Sequence, residues 1–109
     1  MANTFKLKTK ANVGVSSVGL YTAPASTTTV VIGITLSNTS GSGVNVGVGI
    51  TRAGTTEDVK LLKNAPIPSG SSLEFMAGNK IVLETTDTVT VDSDTNNSVD
   101  AALTIMEIT

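Results

Sequence analysis

The fold class is decided by the stretch TTVVIGITLSN (Thr28–Asn38), followed by SGSG (Ser40–Gly43) and VNVGVGIT (Val44–Thr51). Both long stretches alternate apolar residues with small or polar ones, the period of a β-strand with one buried face. The predicted core positions are Val30, Ile32, Ile34, Leu36, Val44, Val46, Val48 and Ile50. Two such strands around a Gly/Ser turn predict an antiparallel hairpin.

Shorter alternating segments, separated by turns rich in Gly, Asn, Asp and Ser, run through the rest of the chain. They lie at Met1–Lys10, Gly19–Thr22, Asp58–Lys63, Ser72–Phe75, Lys80–Glu84, Thr88–Asp92 and Ser98–Ile108. Ala65–Gly70 contains two prolines, which a central strand does not accommodate, so we expect an irregular crossing there.

This organisation predicts an all-β protein. About eight short strands with no helical period are typical of a single antiparallel β-sandwich, of jelly-roll or immunoglobulin-like type. We expect residues 1–109 to form one domain, with residues 1–10 as an edge strand or an extended arm. Strand order is not encoded in the alternation, so both topologies stay open.

The composition of the 109 residues excludes several classes of function. Cysteine and histidine are both absent, which removes the thiolate nucleophile, the disulfide framework and the usual general base and metal ligand. Seven basic against nine acidic residues give a net charge of −2, which argues against nucleic-acid binding. The first ten residues contain no apolar signal segment, and no apolar window is long enough to span a membrane. We therefore expect no enzyme activity, no cofactor, no nucleic-acid partner and no membrane partner.

The acidic side chains do not form a recognisable catalytic pair. They comprise Glu57, Asp58, Glu74, Glu84, Asp87 and Glu107, besides those discussed below. None lies in the aromatic context of a sugar-cleaving site, where two carboxylates flank the bond to be broken. No catalytic residue is predicted.

One loop resembles the start of a calcium-binding loop. Asp92, Asp94 and Asn96 alternate as the first three ligands of an EF-hand do. The match then fails, because the sixth position is Asn97 instead of glycine and the twelfth is Leu103 instead of glutamate. The alternative is a hairpin loop whose short polar side chains bond to their own backbone.

Two glycines leave one face of the second long strand flat. Gly47 and Gly49 alternate with its valines, so that face carries no side chain at these positions. A flat face lets another backbone approach closely. That backbone belongs either to the same chain or to a neighbouring subunit, and both alternatives stay open.

The two ends of the sequence supply the other candidate contacts. Lys6, Lys8 and Lys10 share one face of the first segment, where they either protect a sheet edge from aggregation or dock an acidic partner. Near the other end, Met106 and Ile108 fall on the face opposite to Val99, Ala101, Leu103 and Ile105. A bulge, or an edge that contacts another molecule, explains this change of face.

Several stretches form a run that is specific as a whole although it contains no catalytic residue. They are Leu20–Ala25 leading into Thr27–Leu36, then Leu62–Glu74, Gly78–Glu84, Asp87–Val91, and Asn97–Asp100 before the last apolar strand. This run, roughly residues 18–108, resembles small virion structural proteins of tailed phages. The resemblance implies a scaffold: a compact β-domain that decorates the capsid as a cement protein, or a tail, neck or fibre-associated component.

We expect the first of these roles. The resemblance implies the major capsid protein or other virion proteins as partners, self-association on the particle, and a location in virions assembled in the bacterial cytoplasm. A carbohydrate-binding module is an alternative from another class, which a β-sandwich permits. The absence of tryptophan and the single tyrosine, Tyr21, argue against it, since sugar platforms usually need flat aromatic faces.

Overall fold

The computed structural model describes residues 3–52, 57–75 and 80–109. Its strands are β1 (Asn3–Val13), β2 (Val18–Thr22), β3 (Thr28–Asn38), β4 (Val44–Arg52), β5 (Glu57–Ile67), β6 (Ser72–Phe75), β7 (Ile81–Leu83), β8 (Thr88–Ser93) and β9 (Val99–Ile108). The prediction of an all-β antiparallel sandwich is confirmed. No helix in the described ranges is long and apolar enough to cross a membrane.

The strand order identifies the sandwich as a jelly roll. One sheet has the order β1-β9-β3-β6, with β7 also paired to β3, and the other has the order β2-β8-β4-β5. The chain therefore pairs its first strand with its last, its second with the last but one, and so on inward to β4 and β5. Rolling this long nested hairpin into two facing sheets is the jelly-roll arrangement. Of the two predicted topologies, this is the one observed.

The core lies between the two sheets and is built mainly from β-branched and leucine side chains. Val44, Val46, Val48 and Ile50 of β4 are all buried, as predicted. From the facing sheet, β9 contributes Val99, Ala101, Leu103 and Ile105. The alternation along these two strands therefore identifies their buried faces correctly.

A β-bulge in β3 reverses the direction of its side chains. Val31 pairs with Ile105 and Gly33 pairs with Thr104, so Ile32 is an additional residue opposite β9. Side chains alternate between the two faces with every residue. A single inserted residue therefore moves the core positions from odd to even numbers.

The bulge overturns part of the predicted core. Val31 is buried before the bulge, and Ile34 and Leu36 are buried after it. Val30 and Ile32 are only half-buried, so their prediction as core residues is wrong. The bulge is not visible in the sequence, because Val30, Val31 and Ile32 are all apolar and both faces of the strand therefore carry apolar side chains there.

The predicted hairpin of β3 and β4 is also wrong, because the two strands belong to different sheets. The turn Ser40–Gly43 crosses the sandwich instead, and the buried Asn38 organises the crossing. The Asn38 amide donates to the carbonyls of Ser42 and Ile67, both at 2.9 Å. Its Oδ1 accepts hydrogen bonds from Ser40, at 2.9 Å from N and 2.8 Å from Oγ. The alternation of apolar and polar residues along two strands is the same whether the strands pair within one sheet or face each other across the core.

The strand β5 is longer than predicted and includes one proline. Pro66 lies opposite Asn45, within the segment expected to be an irregular crossing. The expectation is wrong for residues 65–67, because β5 is the terminal strand of its sheet and an edge accommodates a residue without an N–H group. Register shifts accompany this edge, and Asn64 there adopts a φ of 55°.

Candidate functional site

A row of apolar side chains crosses four strands on the outer face of the first sheet. Phe5 of β1 is opposite Met106 of β9, Met106 is opposite Val30 of β3, and Val30 is opposite Val82 of β7. Directly opposed residues project from the same face of an antiparallel pair. Phe5 is 68% exposed and Val82 is 57% exposed. The four residues therefore form a continuous apolar row that no part of the described chain covers.

Two further residues extend this row along the strands. Leu7 lies on the same face of β1 as Phe5 and is 64% exposed. Ile108 lies on the same face of β9 as Met106 and is half-buried. We call these six residues the outer apolar row. Contiguous exposed apolar surface on a small protein often marks a contact site.

The strand β1 exposes its apolar residues because its lysines occupy the inner side. Lys6, Lys8 and Lys10 are opposite Ile105, Leu103 and Ala101 of β9, whose side chains are buried in the core. The usual distribution, with apolar residues inside and charged residues outside, is therefore inverted along β1. Inward-pointing charges at a terminal strand are a known protection against uncontrolled sheet extension.

The buried end of this lysine face is neutralised by a hydrogen-bonded cluster. Lys6 Nζ lies 2.8 Å from Glu107 Oε1, and the Tyr21 hydroxyl donates to Glu107 Oε2 at 2.5 Å. Thr29 Oγ1 lies 2.8 Å from the same hydroxyl, and Lys8 Nζ lies 5.9 Å from the centre of the Tyr21 ring. The hydrogen bonds from Lys6 and Tyr21 lower the pKa of Glu107. Burial, followed by the bond to Glu107, raises the pKa of Tyr21 to about 12.

This cluster predicts a specific response to acid. Because the pKa of Glu107 is lowered by folding, its ionised form stabilises the native state. That contribution is complete above the unfolded pKa of roughly 4.3 and is lost as the pH falls through the folded value. We expect Glu107→Gln to be less stable than the wild type at pH 7 and to lose less stability on acidification.

Thermal unfolding between neutral and acidic pH measures this response. The exposed Glu74, replaced by glutamine, is the matched control and should keep the acid dependence of the wild type. Parallel stability curves for Glu107→Gln and the wild type would contradict the assignment.

A second charged cluster lies where β4 ends, beside the turn between β7 and β8. Arg52 at the end of β4 forms ion pairs with Glu84 and with Asp87, the latter with Nε and Oδ1 3.3 Å apart. Asp87 is buried and also accepts a hydrogen bond from the Glu84 N–H at 2.9 Å. A groove of about 320 Å³ borders these residues. Since Arg52 bridges both carboxylates, the cluster ties the end of β4 to the turn between β7 and β8.

The loop considered for calcium is organised by hydrogen bonds to backbone. Asp94 Oδ1 accepts the N–H of Asn45 at 3.2 Å, and Asn96 Oδ1 accepts the N–H of Val15 at 3.4 Å. The alternative was polar side chains bonded to the loop's own backbone, whereas these two side chains bond to backbone from other parts of the chain. No three His, Cys, Asp or Glu residues of residues 3–52, 57–75 and 80–109 are grouped as a metal site requires. Calcium binding by Asp92, Asp94 and Asn96 stays a prediction that no observed cluster supports.

Both glycines of β4 make their close contacts within the chain. A Cβ atom on Gly47 would lie 2.5 Å from Asp92 Oδ1, on the neighbouring β8. A Cβ atom on Gly49 would lie 2.9 Å from the carbonyl oxygen of Val59, on the neighbouring β5. Same-chain approach therefore explains the two glycines, and contact with a neighbouring subunit stays a prediction.

The structure places two of the predicted contact residues on the outer apolar row. Met106 and Ile108 lie on the outer face of β9, opposite to the core side. The proposed explanation by a bulge or an edge in β9 is wrong, because β9 is central and Glu107 continues its inward alternation. Sequence reasoning missed Phe5 and Leu7, although their alternation with three lysines was visible. The alternation alone did not show which side of β1 would face the core.

Comparison with known proteins supports the fold and not a family. No protein-family model and no curated protein matches the sequence. A solved structure of Bacillus endospore appendages, which form a family of disulfide-linked pili, matches with a TM-score of 0.59 and 15% identity, over 99% of this chain and 87% of that chain. A chain of the T13 IBDV viral particle matches with a TM-score of 0.59 and 13% identity, over 96% of this chain. This protein spans 30% of that viral chain. The jelly-roll sandwich is thus shared with structural proteins.

Proposed function

We propose that the chain is a non-enzymatic structural subunit that binds the assembled capsid of a tailed phage as a decoration subunit. The observation that carries the proposal is the outer apolar row, which crosses four strands on one face of the first sheet and is exposed at Phe5, Leu7 and Val82. The jelly-roll fold and the resemblance to small virion proteins support the same role. A fold alone does not specify function, so the contact surface is the part to test.

The mechanism follows from linkage between binding and assembly. A subunit that binds the assembled shell, and not its separated components, stabilises the shell by mass action. Apolar side chains of the row supply the contact area, and self-association on the particle extends it from one subunit to the next. Because the row contains no charged side chain, we expect its contribution to depend little on salt concentration.

The observed structure weakens the carbohydrate-binding alternative. Tyr21 is buried, and its hydroxyl is bonded to Glu107 and Thr29, so its ring offers no open platform to a sugar. A tail, neck or fibre location is the remaining structural alternative. The structurally similar appendage pili are disulfide-linked, but this chain contains no cysteine with which to form such links.

Co-sedimentation with purified shells tests the proposal. Replacing Phe5 and Met106 by serine removes two adjacent side chains of the outer apolar row without touching the core, and we expect about tenfold or greater loss of shell binding. The control replaces Val15, which is 57% exposed between β1 and β2, by serine and should bind as the wild type. Unchanged shell binding by the row variant would contradict the proposed contact surface.

A further inference from the structure

The open side of β1 differs from the other sheet edges. Residues Asn3–Lys10 pair with β9 in one unbroken register, and no strand in the described part of the chain pairs with the other side of β1. The opposite end of the same sheet consists of the short strands β6 and β7. In the second sheet, β2 is short and shifted in register, and β5 contains Pro66 and further register shifts. Only β1 therefore offers a long, regular backbone edge among the described strands.

The lysines of β1 determine which strand can pair there. An antiparallel pairing of two β1 strands centred on Lys6, Leu7 or Lys8 places lysine directly opposite lysine. Like charges in directly opposed positions destabilise a sheet. A second copy of this chain is therefore disfavoured at its own β1 edge, and a strand with acidic residues at those positions is favoured.

We propose that the open edge of β1 binds an extended segment of a partner protein whose residues alternate between acidic and apolar. The acidic residues lie opposite Lys8 and Lys10 on the inner side, since Lys6 is already paired with Glu107. The apolar residues lie beside Phe5 and Leu7 and lengthen the outer apolar row. Backbone hydrogen bonds supply affinity and the alternating side chains supply specificity, as in other cases of strand addition.

This inference rests on the proposed function, because it assigns partner chemistry to the attachment surface of the same subunit. It adds two requirements on the partner, beyond contact with the outer apolar row. The bound segment must be extended, and it must be negatively charged on one face. We therefore expect binding at this edge to weaken as the salt concentration rises.

Fluorescence anisotropy with synthetic peptides tests the edge. The probe is a labelled peptide of alternating valine and glutamate, and the control peptide alternates valine and lysine. We expect the intact protein to bind the glutamate peptide about tenfold or more tightly than the lysine peptide, and the variant Lys8→Glu/Lys10→Glu to reverse that preference. The variant Lys8→Gln/Lys10→Gln, which introduces no new charge, should bind both peptides equally.

Amide chemical shifts locate the bound peptide and separate the two proposals. We expect the largest shifts within Asn3–Lys10, and shifts confined to another edge would overturn the inference. Equal binding of both peptides by the intact protein would also overturn it, as would self-association through β1. Loss of shell binding on replacing Phe5 and Met106, with no peptide preference, would leave the proposed function standing and refute this edge as its partner site.

Discussion

Val31→Asp is expected to destabilise the protein far more than Val30→Asp does. The two valines are neighbours in β3, but Val31 is 1% exposed and Val30 lies half-buried on the outer face. A lone carboxylate in an apolar core costs several kcal/mol, and the whole stability of a small domain is roughly 5–15 kcal/mol. We expect a loss of about 4 kcal/mol or more for Val31→Asp and about 1 kcal/mol for Val30→Asp.

Urea unfolding monitored by circular dichroism measures both changes. The comparison is matched, because residue type, strand and introduced charge are the same and only the face differs. It also tests the bulge at Ile32 directly, since uninterrupted alternation through Ile34 and Leu36 predicts the opposite order of stability. A greater loss for Val30→Asp than for Val31→Asp would contradict the observed register of β3.

Asn38→Ala is expected to destabilise the protein by about 3 kcal/mol. Asn38 is 3% exposed, and its amide satisfies the carbonyls of Ser42 and Ile67 while its oxygen accepts two hydrogen bonds from Ser40. Removing the amide leaves these groups without their partner at the place where the chain crosses between sheets. Burying polar groups without compensation is among the larger effects of single substitutions.

The same urea titration measures this loss against Asn45→Ala. Asn45 is an exposed asparagine on β4, so its replacement should change the free energy of unfolding by less than about 0.5 kcal/mol. Equal effects of the two substitutions would show that Asn38 does not organise the crossing.

The sequence predicted the buried faces of β4 and β9, in each of which a single alternation runs along the strand. In β4, Val46 and Val48 follow the pattern without interruption, and in β9 so do Leu103 and Ile105. The boundaries of β3 and β6 were also predicted correctly, because turn-forming residues flank apolar segments there. The periodicity of apolar residues along a strand shows which residues share a face, and in these strands the apolar face is the buried one.

The sequence predicted less well which strands pair with each other and in which register. The bulge at Ile32 is hidden because apolar residues occupy both faces around it. The crossing at Asn38 is hidden because a polar residue in a turn gives no indication of burial. Pro66 suggests an interruption, but its compatibility with a strand depends on β5 lying at an edge. All three features depend on neighbours that are distant along the chain.

The same distinction explains what was predicted of the candidate site. Met106 and Ile108 were identified because they face away from a clearly apolar side of β9. Phe5 and Leu7 were not, because an alternation of apolar residues and lysines normally predicts buried apolar residues. Their exposure is set by the register of β1 against β9, which places the lysines over the core side.

The copy number of the chain in purified phage particles tests the central claim most directly. Quantitative mass spectrometry against the major capsid protein measures it. Decoration of the shell predicts a ratio near one, or a simple fraction such as one third. A few copies per particle would contradict decoration and place the protein at the neck, tail or fibre, and complete absence from particles would contradict a virion role altogether.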